Sequence, residues 1–182
     1  MTTKPTRPVA SRDSGALVGG VGVAPHVQPQ LFSTPQTSHT SDDYWTPRWL
    51  FDALGLTFDL DVACPQGGAP WVPAKHYYTQ ADDGLASPWF GLVWMNPPYS
   101  NSTPWVKKWL HHANGIALLP DVNRKWNYEI FNNADAVMAL PANMTFDVPD
   151  DRRGDIRYSV KMYGMGPKAV RALKQSKLGR VR

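Results

Sequence analysis

An amide, two prolines and a phenol follow one another at Asn96-Pro97-Pro98-Tyr99, directly behind the apolar triplet Val93-Trp94-Met95. Together these groups can hold a planar amino nitrogen. The lone pair of such a nitrogen is delocalised into a ring or carbonyl, which makes it a poor nucleophile. The side-chain oxygen of Asn96 and the backbone carbonyl of Pro97 are two acceptors for its two hydrogens. Held this way, the nitrogen becomes more tetrahedral, and positive charge developing on attack is stabilised. Tyr99 adds a flat face on which a base can stack, worth roughly 1–3 kcal/mol. The prolines stiffen the loop, so little entropy is lost on docking. The bland alternative for the tetrapeptide is a proline-rich turn that closes a strand.

The elements around it must bring that loop to a pocket. Val93, Trp94 and Met95 suit a central strand, and Pro97 and Pro98 cannot donate to a ladder, so the strand stops there. Open α/β sheets bind ligands at such carboxyl ends. Upstream, residues 56–65 alternate apolar and acidic side chains before a turn-rich Gln66-Gly67-Gly68, which predicts the first central strand. Asp59 and Asp61 are expected to share a face by period two. Thr46 is expected to cap a helix that has Pro47 at its first position and that Gly55 ends. A second strand is expected within residues 71–78. A helix is expected to start at Thr103-Pro104 and end at Gly115, followed by a buried strand over residues 116–120. Residues 121–131 read as a loop and short helix exposing Asn123, Arg124, Lys125 and Trp126. Further strands are expected at 136–140 and 156–163, with a bend at Thr145-Phe146 and a basic helix over 167–177.

Length and composition set the outer bounds. At 182 residues one domain is expected, without room for a second recognition domain of ordinary size. Residues 1–40 are rich in Thr, Ser, Pro, Gly and Gln and are expected to be a disordered tail. The catalytic domain is expected over 41–165, and a basic helix or tail over 166–182. Net charge is +4 and pI near 9.2, which favours a polyanionic partner. The cations concentrate at the carboxyl end: Lys161, Lys168, Arg171, Lys174, Lys177, Arg180 and Arg182 occur without an intervening acid. The single cysteine, Cys64, excludes an internal disulfide framework and a cysteine zinc cluster and fits a reducing cytoplasm. It reads as pocket wall or core, not as a nucleophile, because no sequence pattern supplies it with a base. His76 has no partners at ligand spacing, so no metal is expected, and no apolar run is long enough to span a membrane.

The blocks Trp45-Thr46-Pro47, Asp59-Leu60-Asp61-Val62-Ala63, Asp82-Asp83-Gly84-Leu85, Trp89, residues 93–100 and Leu119-Pro120, in that order, resemble the small phage-type DNA N6-adenine methyltransferase family. The resemblance runs from about Asp42 to Tyr163. It implies a single-domain, Rossmann-like class I methyltransferase sheet of α/β class, lacking a separate target-recognition domain. It implies S-adenosylmethionine as cofactor, DNA as partner, and a base flipped into the pocket. Asn96, Pro97, Pro98 and Tyr99 would be catalytic. Trp45, Thr46 and Pro47 resemble the segment that closes over the methionine end of the cofactor; Asp61, with Asp59 and Ala63, matches the cofactor motif, and Asp83 the acid that meets the cofactor's adenine. The family's glycines are out of register here, since Pro65 and Gln66 stand where Gly-Ser is usual. DNA phosphates would fall to Arg124, Lys125, Lys168, Arg171 and Lys174. A phage or prophage origin and the cytoplasm of a bacterial host follow from the same resemblance.

Three other functions fit the motif. Protein glutamine N5-methyltransferases also carry Asn-Pro-Pro-Tyr, because a carboxamide is likewise planar, but they resemble this chain less outside it. Cytosine N4 could be held by the same two acceptors. A non-catalytic DNA-binding module could retain the fold without binding the cofactor.

Overall fold

The computed structural model describes residues 45–66, 68–141, 144–147 and 159–182. The expected amino-terminal tail and the start of the last expected strand lie outside the described residues. From Trp45 onward the described chain falls within one unit, Ser38–Arg182.

Six strands form one sheet: β1 (Phe58–Asp61), β2 (Ala74–Tyr77), β3 (Val93–Met95), β4 (Gly115–Pro120), β5 (Ala136–Ala139) and β6 (Val160–Met165), in the order β2-β1-β3-β4-β6-β5. β2, β1, β3 and β4 are mutually parallel, and β6 enters antiparallel between β4 and β5. The chain lays β2 on one side of β1 and then crosses to lay β3 on the other. Strand order therefore reverses between β1 and β3, and a reversal leaves a crevice at the carboxyl ends of the two strands.

Among the described residues four α-helices, α1 (Arg48–Leu54), α2 (Ser102–His112), α3 (Lys125–Asn133) and α4 (Pro167–Ser176), cover the sheet in two layers. Leu50, Phe51 and Leu54 of α1 and Ala169, Ala172 and Leu173 of α4 pack on Trp94, Ile116 and Leu118. On the other face Trp105, Val106 and Trp109 of α2 and Trp126 and Ile130 of α3 pack on Val93, Met95, Ala117 and Leu119. β3 and β4 are apolar on both faces because both are covered. Trp94 is the hub of the first layer, with the rings of Phe51 and Phe58 at 4.8 and 5.5 Å from its own.

β1 departs from simple alternation. The amides of Asp59 and Leu60 both donate to the carbonyl of Leu92, at 2.8 and 3.4 Å. Two residues of β1 thus answer one of its neighbour, a β-bulge. Phe58 and Leu60, two apart, consequently fall into opposite layers. The same slip separates Asp59 from Asp61, so the expected common face does not exist.

Two helix boundaries differ from expectation. α1 begins at Arg48, with Pro47 at its cap position and no side-chain cap, and Gly55 ends it in the left-handed region with its amide on Phe51. α2 begins at Ser102 and stops at Ala113, which takes the left-handed conformation at φ 57. Gly115 is instead the first residue of β4, where a Cβ would lie 2.4 Å from the carbonyl of Val93. It is glycine because the strands approach there.

Candidate active site

The crevice at the ends of β1 and β3 is a cavity of about 500 Å³. Asp61 and the residues through Gln66 form its floor, Asn96 and Pro98 one wall, Asp83 and Gly84 another, and Trp45, Thr46 and Trp71 the side above them. Its glycine-poor floor is shaped by pairing: Tyr78 donates to the carbonyl of Asp61 and Cys64 to that of Tyr78, both at 2.8 Å.

Asp61 is the floor's charged group, and it is 3% exposed. Burial pushes its carboxyl up to about 7, against a smaller opposing effect of the Ala63 amide, which donates to Oδ1 at 3.1 Å. A desolvated carboxylate with one amide donor lacks a cation. Beside it, burial first and the Asp61 charge second push the Cys64 thiol up to about 12. Such a thiol is inert as a nucleophile, and it serves as wall.

Asn96 stands just beyond β3, half-buried, with Pro97 buried behind it. Its Nδ2 donates to Thr46 Oγ1 at 3.2 Å, across 50 residues of chain. Thr46, 3% exposed, spends its hydroxyl there rather than on capping α1. The segment that carries it is fastened from above: Trp71 Nε1 donates to the Thr46 carbonyl at 2.9 Å, and the rings of Trp45 and Trp71 lie 5.3 Å apart. Trp45 and Asp147 exchange backbone hydrogen bonds at 2.8 and 3.0 Å.

Asp83 lies at φ 47 after the 3-10 turn Gln80–Asp82. Its Oδ1 accepts the amides of Leu85 and Ala86, both at 3.1 Å. The loop is held close. A Cβ on Gly84 would lie 2.1 Å from the Val62 carbonyl and 3.1 Å from the Trp105 ring. Lys108 of α2 donates to the carbonyls of Gly84, Leu85 and Ser87 and lies over the Trp89 ring. Its lowered pKa follows from burial, against a smaller opposing effect of Asp83.

The tetrapeptide divides this cavity from a second. Tyr99, Ser100, Asn101, Ser102 and Thr103 border a space of about 390 Å³ with Pro120, Val122, Arg124 and Trp126. Asn96 thus faces one cavity and Tyr99 the other.

A family model described as "DNA N-6-adenine-methyltransferase (Dam)" matches residues 34–161. The chain belongs to that family. Relatives include the DNA N-6-adenine-methyltransferase of Haemophilus phage HP1, 29% identical over 60% of this chain and 69% of the relative. The DNA N-6-adenine-methyltransferase of Escherichia phage T1 is 33% identical over 58% of this chain, which spans only 48% of that relative. No solved structure matches the chain.

Within this member of the family, the structure brings Trp45, Thr46, Asp61, Ala63, Asp83, Asn96 and Pro98 around one cavity. Pro47 is buried at the cap position of α1 and does not line it. Asp59 does not line it either. Its Oδ2 accepts the Leu92 amide and its Oδ1 meets Lys75, both at 2.8 Å. Lys75 is the main reason its carboxyl stays below the usual range, with the Leu92 amide second. Asp59 is a clip across three strands, set outside the cavity by the bulge. Among the expected DNA contacts, Arg124 and Lys125 sit at the carboxyl edge. Lys168, Arg171 and Lys174 do not. β6 runs back to pair Met165 with Gly115, so α4 starts at the opposite edge, where Arg171 and Lys174 border a depression with Asp135 and Gly166. Sequence reasoning missed Trp71, Trp105 and Lys108. The first lies in a turn-rich stretch, and the others read as ordinary helix residues.

Among the described residues no group of three or more His, Cys, Asp or Glu could hold a metal, and no helix is long and apolar enough to cross a membrane.

Proposed function

We propose that the chain transfers the methyl group of S-adenosylmethionine to adenine N6 in DNA, on a base drawn out of the duplex, within a Rossmann-like class I methyltransferase fold. One observation carries the reading: Asp61 and Asn96, at the ends of adjacent parallel strands, open on a single cavity of about 500 Å³ beside the strand-order reversal. Membership of the Dam family and the names of the phage relatives support adenine N6 as the target.

The residues present suit this cofactor. Asp61 is a buried carboxylate in want of a cation, which an amino-acid ammonium supplies. Asp83 Oδ2 suits an exocyclic amine. Trp45, Thr46 and Trp71 cover the side above. When bound, the cofactor supplies a methyl group activated by a sulfonium.

The chain's own part is positioning and electrostatics. Thr46 holds the nitrogen of the Asn96 amide, whose other arm is the side-chain oxygen. That oxygen and the Pro97 carbonyl would take the two hydrogens of the target amine. Positive charge on the attacked nitrogen is then stabilised as it forms. Tyr99 borders the second cavity, and a base entering from that side of the loop would stack on its ring while its amino group reached Asn96. Cys64 contributes no covalent step.

Digestion of treated DNA to nucleosides, followed by mass spectrometry, tests the reading. N6-methyladenine is the expected product. N4-methylcytosine, or methyl transfer to protein glutamine instead of DNA, would overturn it.

A further inference from the structure

We infer that α3, rather than the cation-rich α4, is the helix laid against DNA, with Tyr128 as its stacking contact. This rests on the reading of DNA as substrate.

The argument begins with where each helix starts. α3 follows the carboxyl end of β4 after four residues, so it leaves from the edge that carries Asn96 and Tyr99. Arg124, at its cap position, borders the same 390 Å³ cavity as Tyr99. α4 starts from the other edge of the sheet, and its Arg171 and Lys174 border a depression that none of the tetrapeptide residues lines.

The outer side of α3 has the required chemistry. Trp126, Asn127 and Ile130 are turned into the core. Tyr128 is 73% exposed, the most of any large hydrophobic side chain among the described residues, and Phe131, one turn on, is 40% exposed. A lone exposed aromatic means little, but this pair shares α3 with part of a basic rim. Lys107, Arg124 and Lys125 line one depression with Trp126, and the single acid there, Glu129, leaves it net positive. Lys161 adds a fourth cation over the Phe131 ring, although Asp121 pairs with it at 2.8 Å. Cations beside exposed rings are what a phosphate backbone and its bases require.

The helix is also fixed in place. Buried Asn127 donates to the carbonyl of Pro120, the last residue of β4, at 3.1 Å, and to the Tyr163 hydroxyl at 3.5 Å. Tyr128 is therefore presented from a rigid element in register with the catalytic edge, and little order has to be acquired on binding.

The test is duplex-oligonucleotide binding by fluorescence anisotropy across a salt series, with methylated nucleosides measured in parallel. Tyr128→Ala should weaken binding about tenfold, within the worth of one stacked base, and Tyr128→Phe should not. Arg124→Gln with Lys125→Gln should make the salt slope shallower by about two. The triple change Lys168→Gln, Arg171→Gln, Lys174→Gln should alter the slope less than that pair does. Wild-type affinity in Tyr128→Ala, or a larger loss from the α4 triple, would overturn the inference while leaving adenine methylation by the wild-type chain intact. A wild-type chain that neither binds nor methylates DNA would overturn the substrate reading along with it.

Discussion

Thr46 Oγ1 lies 3.2 Å from Asn96 Nδ2, joining the entry of α1 to the loop after β3 across 50 residues. The contact holds the amide nitrogen of Asn96. Thr46→Val keeps the shape and loses the acceptor, so methyl transfer should fall by about 100-fold, the order expected when a reacting group is mispositioned. Single-turnover rates beside cofactor affinity would show it. Thr46→Ser should recover the rate, and a Val variant at the wild-type rate would remove Thr46 from the positioning of Asn96.

Asp61 predicts two pH dependences of opposite direction. Its folded pKa is about 7, above the ordinary value of 3.8. In the cofactor-free protein its contribution to stability is full below pH 4 and is lost as pH rises through 7. Asp61→Asn should therefore be more stable than wild type at pH 8, by up to about 4 kcal/mol from three pKa units, with the gap closing towards pH 4. Chemical denaturation across that range measures it. Cofactor affinity should run the other way, falling by up to tenfold per unit below pH 7 as the carboxylate protonates. In Asp61→Asn affinity should be weak at every pH, and titration calorimetry that found it unaltered would take the ammonium away from Asp61.

Gly84 and Lys108 hold the loop that carries Asp83. Gly84→Ala forces a Cβ against the Val62 carbonyl, so the loop must move outward, and cofactor affinity should fall at least tenfold, about the cost of 1.4 kcal/mol. Lys108→Met removes three backbone contacts to the same loop and should lower affinity in the same direction, with a raised KM for cofactor and a smaller change in kcat. Loss of kcat at unchanged KM would place Lys108 elsewhere in the reaction.

The site was legible where chemistry is local. Asn96-Pro97-Pro98-Tyr99 announces its strand end, because proline cannot be read as strand interior. The place of Asp61 was legible as the acid that ends an alternating strand ahead of a turn-rich stretch. Asp59 was misjudged because a bulge depends on the partner strand's carbonyl, and nothing in residues 58–61 marks it. Gly115 was taken for a helix stop because a sequence shows a glycine without showing which backbone approaches it. The cations of α4 were given to DNA on charge alone. Their place at the far edge follows from β6 running antiparallel, which the sequence of that strand does not reveal.

The most direct measurement of the central claim is methyl transfer to DNA by Asn96→Ala, run beside cofactor binding by calorimetry. Cofactor affinity should stay within about threefold of wild type, while N6-methyladenine formation should fall by at least 100-fold, the scale for removing one group that stabilises the transition state. Near-normal turnover in that variant would contradict the account.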